Sequence, residues 1–258
     1  MNAWVDTHCH LDAAAFDADR ETVLQAARAA AVATIVVPAV KRGNFAAVSE
    51  LCRAHPECVP AYGIHPLCVD DVRDEDIGML RVMLQDGRTV AVGEIGLDFY
   101  VQNFDRPRQE HFFAEQLKLA RELRLPVLLH VRRAVDAVLA QLRRIRVVGG
   151  IAHAFNGSAV QAKQFIDMGF KLGFGGAMTH SRATKLRALA AELPLESIVL
   201  ETDAPDIPPS WLAGGRNQPA ELPRIAAEIA ALRGMPVSEL AAATSANALA
   251  AVPRLALP

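Results

Sequence analysis

The stretch Ala3-Trp4-Val5-Asp6-Thr7-His8-Cys9-His10 decides the fold. It opens as a short apolar strand and ends in imidazoles rather than glycines. An open sheet that binds a dinucleotide needs a glycine-rich turn after an early strand, because its backbone must approach a pyrophosphate. No such turn stands here. Working outward, seven more β-rich runs follow: Thr34–Pro38, Val59–Gly63, Thr89–Gly93, Val127–His130, Val147–Ala152, Phe170–Gly173 and Ser197–Glu201. With Ala3–Thr7 they make eight. Helical spacing separates them. Val23, Leu24, Ala27 and Ala31 mark one helix. The clearest is Gln109–Leu125, with Phe113, Leu117, Ala120 and Leu123 on one face and Pro126 expected to stop it. Strands alternating with helices imply βαβ units and a parallel sheet. Eight units of about 30 residues fit the α/β class as a single (β/α)8 barrel of the TIM type. Pro205, Pro208 and Pro209 fall in a loop after the eighth strand, and 218–250 reads as two closing helices. No linker or internal repeat interrupts the chain, so one domain over 1–258 is expected.

Composition agrees with a large core. The chain has 258 residues, 52% hydrophobic and 22% charged, which excludes a disordered polymer. Aromatic residues are 5%, so the core is mainly aliphatic. Lys and Arg number 27 against 29 Asp and Glu, for a net charge of −2. That argues against a protein that coats nucleic acid, and leaves room for an enzyme that grips one strand end. Positive charge concentrates in 106–146, with ten bases against four acids, a pattern of solvated helix faces. Cys9, Cys52, Cys58 and Cys68 form no CxxC pair and no disulfide scaffold. Met1–His10 lacks the basic and apolar regions of a signal peptide, and no run approaches a membrane span. A cytoplasmic protein is expected, without membrane attachment or an obligate protein partner.

Chemistry in such a barrel sits at the C-terminal strand ends. His8 and His10 end the first strand, Glu94 the fourth, His130 the fifth, His153 the sixth and Asp203 the eighth. Six imidazole and carboxylate ligands converging on one mouth suffice for two divalent metals sharing a carboxylate. Alternation along a strand puts Asp6, His8 and His10 on one face with Cys9 turned away, and pairs Glu201 with Asp203. Each residue alone has a plainer reading. Glu94 can pair with an arginine, a lone histidine can be a satisfied core residue, and Asp203 can cap a turn before Pro205.

Together, these segments resemble the TatD-type metal-dependent hydrolases, a branch of the amidohydrolase-like barrels. The resemblance rests on Asp6-Thr7-His8-Cys9-His10-Leu11-Asp12, Gly63-Ile64-His65-Pro66, Gly93-Glu94-Ile95-Gly96-Leu97-Asp98, Leu125-Pro126-Val127-Leu128-Leu129-His130-Val131-Arg132, His153-Ala154-Phe155-Asn156-Gly157-Ser158 and Glu201-Thr202-Asp203-Ala204-Pro205. It implies that His8, His10 and Asp203 hold one metal with Glu94. It also implies that Glu94 bridges to a second metal held by His130 and His153. No lysine ends strand four or five, which fits a glutamate bridge rather than a carbamylated lysine. The chain departs from the family pattern at Gly175-Gly176-Ala177-Met178-Thr179-His180 and at Leu67 after His65-Pro66. His180 is either a substrate contact or a solvated loop residue.

The expected activity is divalent-metal-dependent hydrolysis. Two cations, magnesium, manganese or zinc, acidify a shared water, and Asp203 takes its proton as general base. The resemblance favours a phosphodiester in DNA or RNA, attacked from a single strand or an end. Arg132, two residues past His130, is expected to face the mouth and, with His65, hold a phosphate; its alternative is an ion pair with Asp136, and Arg133, of opposite parity, is expected to be a helix-surface charge. Phe99, Tyr100, Phe155 and Trp211 either stack a terminal base or line the rim. Two other readings remain open. One is hydrolysis of a small ester, lactone or cyclic amide by the same metals. The other is a metal-storing scaffold without turnover, which Asp203 argues against.

Overall fold

A computed structural model describes residues 3–255, and the expected domain span 1–258 runs past them at both ends. The strands are β1 (Trp4–Asp6), β2 (Val32–Pro38), β3 (Cys58–Tyr62), β4 (Ala91–Asp98), β5 (Val127–Arg132), β6 (Gly150–Ala152), β7 (Phe170–Phe174) and β8 (Ile198–Leu200). The helices are α1 (Arg20–Ala29), α2 (Phe45–Ala54), α3 (Glu75–Leu84), α4 (Arg106–Leu123), α5 (Val135–Arg144), α6 (Ala159–Asp167), α7 (Thr184–Glu192), α8 (Leu222–Arg233) and α9 (Val237–Ala251). Strand order in the sheet is sequence order, and every neighbouring pair is parallel. The remaining seam, between β8 and β1, is closed by the Thr7 amide and hydroxyl, both donating to Leu200 O at 3.0 Å. The result is the expected (β/α)8 barrel.

Two apolar layers hold it. Inside the barrel, Val5, Val36, Ala61, Ala91, Leu128, Ile151 and Val199 meet. Ala248, Ala251 and Val252 of the last helix and its exit join this cluster. The closing helices therefore have a physical purpose, since α9 covers apolar side chains at the interior of the sheet. Between sheet and helices lies the larger layer, including Trp4, Val92, Ile95, Val127, Leu129, Phe113 and Leu117. Burying a Leu, Val or Phe side chain contributes about 1.5–3 kcal/mol, so these layers dominate the fold's stability.

Several boundaries differ from expectation, each for a local reason. The fourth strand, expected to stop at Gly93, runs to Asp98 through a register shift between Val92 and Ile95. The helix expected over Gln109–Leu125 starts at Arg106, where Asp105 accepts from Arg108 N, and ends at Leu123, because Arg124 turns left-handed at φ 52°. Ala31 lies outside α1 at φ 59°. The eighth strand ends at Leu200 and the sixth begins at Gly150. Among the described residues, no helix is long and apolar enough to cross a membrane. All four cysteines are free.

Candidate metal centre

Alternation explains part of the site. On β5, Leu128 faces the interior while Val127 and Leu129 face the helices. His130 and Arg132 therefore follow Leu128 inward. On β6, Ile151 faces inward and Ala152 outward, so His153 returns inward. On β4, unbroken alternation from inward Ala91 would turn Glu94 outward. The irregularity prevents this: three steps on β4, Val92 to Ile95, oppose two on β5, Val127 to Leu129. A bulge of this kind re-aims a side chain. Ile95 and Leu97 face the helices, leaving Glu94, Gly96 and Asp98 inward. Gly96 is required at φ 148°, where a Cβ would meet His130 O at 1.9 Å. The lack of a side chain there lets the His130 backbone lie against β4.

The outcome is a tight imidazole–carboxylate cluster. Glu94, 1% exposed, divides its oxygens. Oε2 lies 3.2 Å from His8 Nε2 and 3.3 Å from His10 Nε2. Oε1 lies 2.9 Å from His130 Nδ1, 2.8 Å from His153 Nε2 and 3.4 Å from His65 Nε2. Asp203 Oδ1 completes the first half, 3.6 Å from His8 Nε2 and 3.7 Å from His10 Nε2. His8 and His10 face each other at 3.3 Å. Thus five imidazoles, His65 among them, meet at Glu94, and Asp203 joins the cluster through His8 and His10.

The donor set fits a cation. A tetrahedral site with bonds of about 2.0–2.1 Å has edges of about 3.3–3.4 Å, close to the spacings around Glu94 Oε2. His8 Nδ1 and His153 Nδ1 are buried without hydrogen-bond partners, so the Nε2 atoms turned toward Glu94 carry the polar contacts of both rings. Electrostatics point the same way. Burial raises the Glu94 carboxyl, but the surrounding imidazoles of His65, His153 and His8 overcome it and hold Glu94 well below the usual range. Burial, with His153 beside it, pushes His8 down to about 3. Burial also opposes charge on His10 and His153, yet Glu94 and Asp203 lift them to about 9 and about 10.

Sequence reasoning misjudged Asp6 and passed over two carboxylates. Asp6 does not share the face of His8 and His10, because the regular strand ends at Asp6. Its buried carboxylate accepts from Thr202 Oγ1 at 2.6 Å, Thr202 N at 3.0 Å and His8 N at 3.2 Å. It thereby pins β1 to the exit of β8, where Asp203 N donates to His8 O at 2.8 Å. Asp98 Oδ2 lies 3.0 Å from His130 Nε2, and Oδ1 accepts from the Tyr100 and Val101 amides. Glu201 accepts from the Ala154 amide and lies 3.9 Å from His153 Nδ1; burial pushes it up to about 8. Even spacing from Glu94 to Asp98 was the available signal for the first. Glu201 had only its parity with Asp203.

The cluster floors a cavity of about 1040 Å³. Asp203 is the more accessible of the two carboxylates in the cluster, 12% exposed at the side chain against 2% for Glu94. Asp203 stands at φ 56°, turned back over the cluster after β8. Arg132 faces this cavity as expected and does not pair with Asp136, which accepts from Gln161 Nε2 instead. Arg133, expected on the helix surface, also lines the cavity because its φ of 53° breaks the alternation. Tyr100 and Phe155 line the cavity. Phe99 packs against the outer core, and Trp211 donates to Glu221. His180 is exposed and lies against Pro208 O at 3.1 Å.

The model for TatD related DNases matches residues 5–252. The chain belongs to the TatD family. Among TatD relatives, the metal-dependent hydrolase YjjV of Escherichia coli (strain K12) is 40% identical over 95% of both chains. The crystal structure of that TatD homologue superposes with a TM-score of 0.93, over 97% of this chain and 98% of the other. A protein named 3'-5' ssDNA/RNA exonuclease TatD, from Cronobacter sakazakii (strain ATCC BAA-894), is 36% identical over 94% of this chain and 95% of its own. The protein is therefore a TatD-family metal-dependent hydrolase.

Proposed function

We propose that this TatD-family hydrolase cleaves phosphodiester bonds in single-stranded DNA or RNA from an end, using two divalent cations. The observation that carries the reading is the divided carboxylate of Glu94 beneath a cavity that also presents Arg132. His8, His10, Asp203 and Glu94 Oε2 would hold one cation; His130, His153 and Glu94 Oε1 would hold the other. The four imidazoles suit zinc, while the two carboxylates and a phosphodiester substrate suit magnesium or manganese. When bound, such a pair acidifies water and stabilises negative charge on the attacked group.

The chain's own residues do the rest. Asp203 reaches the cavity and accepts the proton of the attacking water at its carboxylate; burial raises its affinity for that proton. His65 Nδ1 accepts from Leu67 N at 3.1 Å, so its proton sits on Nε2, facing the Glu94 half of the cluster. There it donates to a substrate oxygen. Arg132 supplies the permanent charge that orients a phosphate. A neutral lactone would leave that guanidinium unused, and this disfavours the small-ester alternative. The exonuclease name of the Cronobacter relative supports the same substrate class.

The test compares a labelled single strand with a lactone panel, in magnesium, manganese and zinc. Strand shortening from one end is expected, with little lactone turnover. Asp203→Asn keeps an oxygen for the cation but cannot take the proton, so it should lose about 10²–10⁴-fold in rate with metal content retained. Near-wild-type turnover by a metal-loaded Asp203→Asn would remove the base assignment. Lactone turnover without strand cleavage would replace the substrate class.

A further inference from the structure

The β4–β5 side of the cavity carries an arrangement of which the proposed reaction uses only Arg132. Tyr100 is 47% exposed. The Arg132 guanidinium lies over its ring at 3.9 Å from the centroid, and that of Arg133 at 4.8 Å. These two side chains supply all the lysine and arginine charge lining the cavity among the described residues. Neighbouring carboxylates that could neutralise them are engaged elsewhere. Asp136 takes Gln161, and Asp98 takes His130 and two backbone amides. Two guanidiniums share one aromatic ring, and among the described residues neither forms an ion pair with a carboxylate.

The backbone is shaped to produce this. Arg132 pairs with Asp98 at the last rung of β4–β5, two residues beyond the Gly96–His130 rung. That is about 7 Å farther out along the strand than His130. Regular alternation would then send Arg133 to the helix side. Its left-handed φ of 53°, uncommon for a side chain with a Cβ, returns it to the cavity. Asp98 Oδ1 holds the Tyr100 and Val101 amides at 2.8 and 3.1 Å, tying the aromatic to the strand that also carries Glu94. The wall is fixed relative to the reaction centre.

We propose that Arg132, Arg133 and Tyr100 recognise the phosphate next to the one under attack, with its base stacked on the exposed ring. The inference rests on the phosphodiester reading above and adds a substrate requirement: at least two linked nucleotides. Planar guanidiniums bind phosphate oxygens in pairs and stack on aromatic faces at the same time. An aromatic face accepts any base, so the wall selects for strand length rather than sequence. An isolated phosphodiester without a second phosphate gains nothing from it.

The experiment uses the protein as purified and two readouts. Fluorescence anisotropy measures binding of a labelled, hydrolysis-resistant phosphorothioate oligothymidylate across a salt series. Steady-state kinetics compare oligothymidylate with bis(p-nitrophenyl) phosphate. Arg133→Ala should weaken oligonucleotide binding about tenfold and flatten the salt slope by about 0.7, the loss of one phosphate contact. The ratio of kcat/KM for oligonucleotide over small diester should fall by a similar factor, through KM. Arg133→Lys should restore the salt slope but only part of the affinity, since ammonium lacks the planar fork. Tyr100→Ala should weaken binding about tenfold, and Tyr100→Phe should not. Unchanged binding and salt slope in Arg133→Ala, or an unchanged substrate ratio, overturns the proposal. If the wild type cleaves neither phosphodiester, the reading of the reaction fails instead, and the salt slope alone decides the anion site.

Discussion

Gly63→Ala tests how the fold aims the central carboxylate. Gly63 follows β3 and lies against the bulge of β4. A Cβ there would stand 2.6 Å from Glu94 O, 2.8 Å from Gly93 C and 2.8 Å from Ile95 Cγ2. Backbone atoms cannot swing aside like a flexible side chain. Restoring an ordinary contact of about 3.4 Å requires β4 to retreat by about 0.8 Å. Glu94 then moves away from imidazoles it now meets at 2.8 Å and 3.2 Å. Overpacking of this size costs about 1–3 kcal/mol of stability. Functional geometry tolerates only about 0.5 Å, and a 1 Å displacement costs about 100-fold in rate. Gly63→Ala should therefore remain folded, lose bound metal, and lose at least about tenfold in kcat/KM. Gly78→Ala is the control. Gly78 lies on α3, and a Cβ there meets nothing within 4 Å. It should gain up to about 1 kcal/mol from helix propensity and keep full activity. Urea denaturation, elemental metal analysis and kinetics on bis(p-nitrophenyl) phosphate would be run on both. Retention of metal and rate within twofold in Gly63→Ala would refute the claim that close packing at Gly63 keeps the β4 bulge, and Glu94 with it, in place.

Three further outcomes follow from other contacts. Asp98→Asn should weaken metal affinity about 10–100-fold, because the carboxylate that orients His130 loses its charge; a metal titration reads this directly. Asp6 is raised from 3.8 to about 7 by burial, so between those values it is protonated in the fold and ionised when unfolded. Wild-type stability from this group therefore falls as pH rises from about 4 to 7; metal-free Asp6→Asn should gain on wild type across that window, by at most about 4 kcal/mol at pH 8, and a pH-independent difference in urea melts would remove the argument. Iodoacetamide at pH 8 should label Cys68 alone in the native protein: Cys9, Cys52 and Cys58 are buried and their thiols pushed well up, Cys52 to about 12. Modification of all four at similar rates would contradict that packing.

The cues legible in the sequence share one physical property: they depend on regular strands. Leu128, His130 and Arg132 share a face because β5 stays regular to its end, and the sequence alternation reads it correctly. Ile151 and His153 obey the same period. The period loses its meaning where the backbone departs from the strand. The reading of Asp6 failed because β1 ends there, and that of Arg133 failed because its φ turns positive. Glu94 is more instructive. The sequence singles it out for lying beyond an apolar run, yet it sits within β4 and faces inward only because a bulge inverts the alternation. Three of the residues that shape the mouth, Glu94, Arg133 and Asp203, owe their direction to a bulge or a left-handed turn. Such irregularities depend on contacts made far along the chain, as when Asp6 receives Thr202 or Asp203 N reaches His8 O. A barrel can place a ring of strand ends by pattern alone, but closing that ring around a single carboxylate needs the pattern broken at chosen rungs. The proposed substrate wall follows the same logic, for an unbroken alternation past β5 would have left Tyr100 with one guanidinium and no second cation.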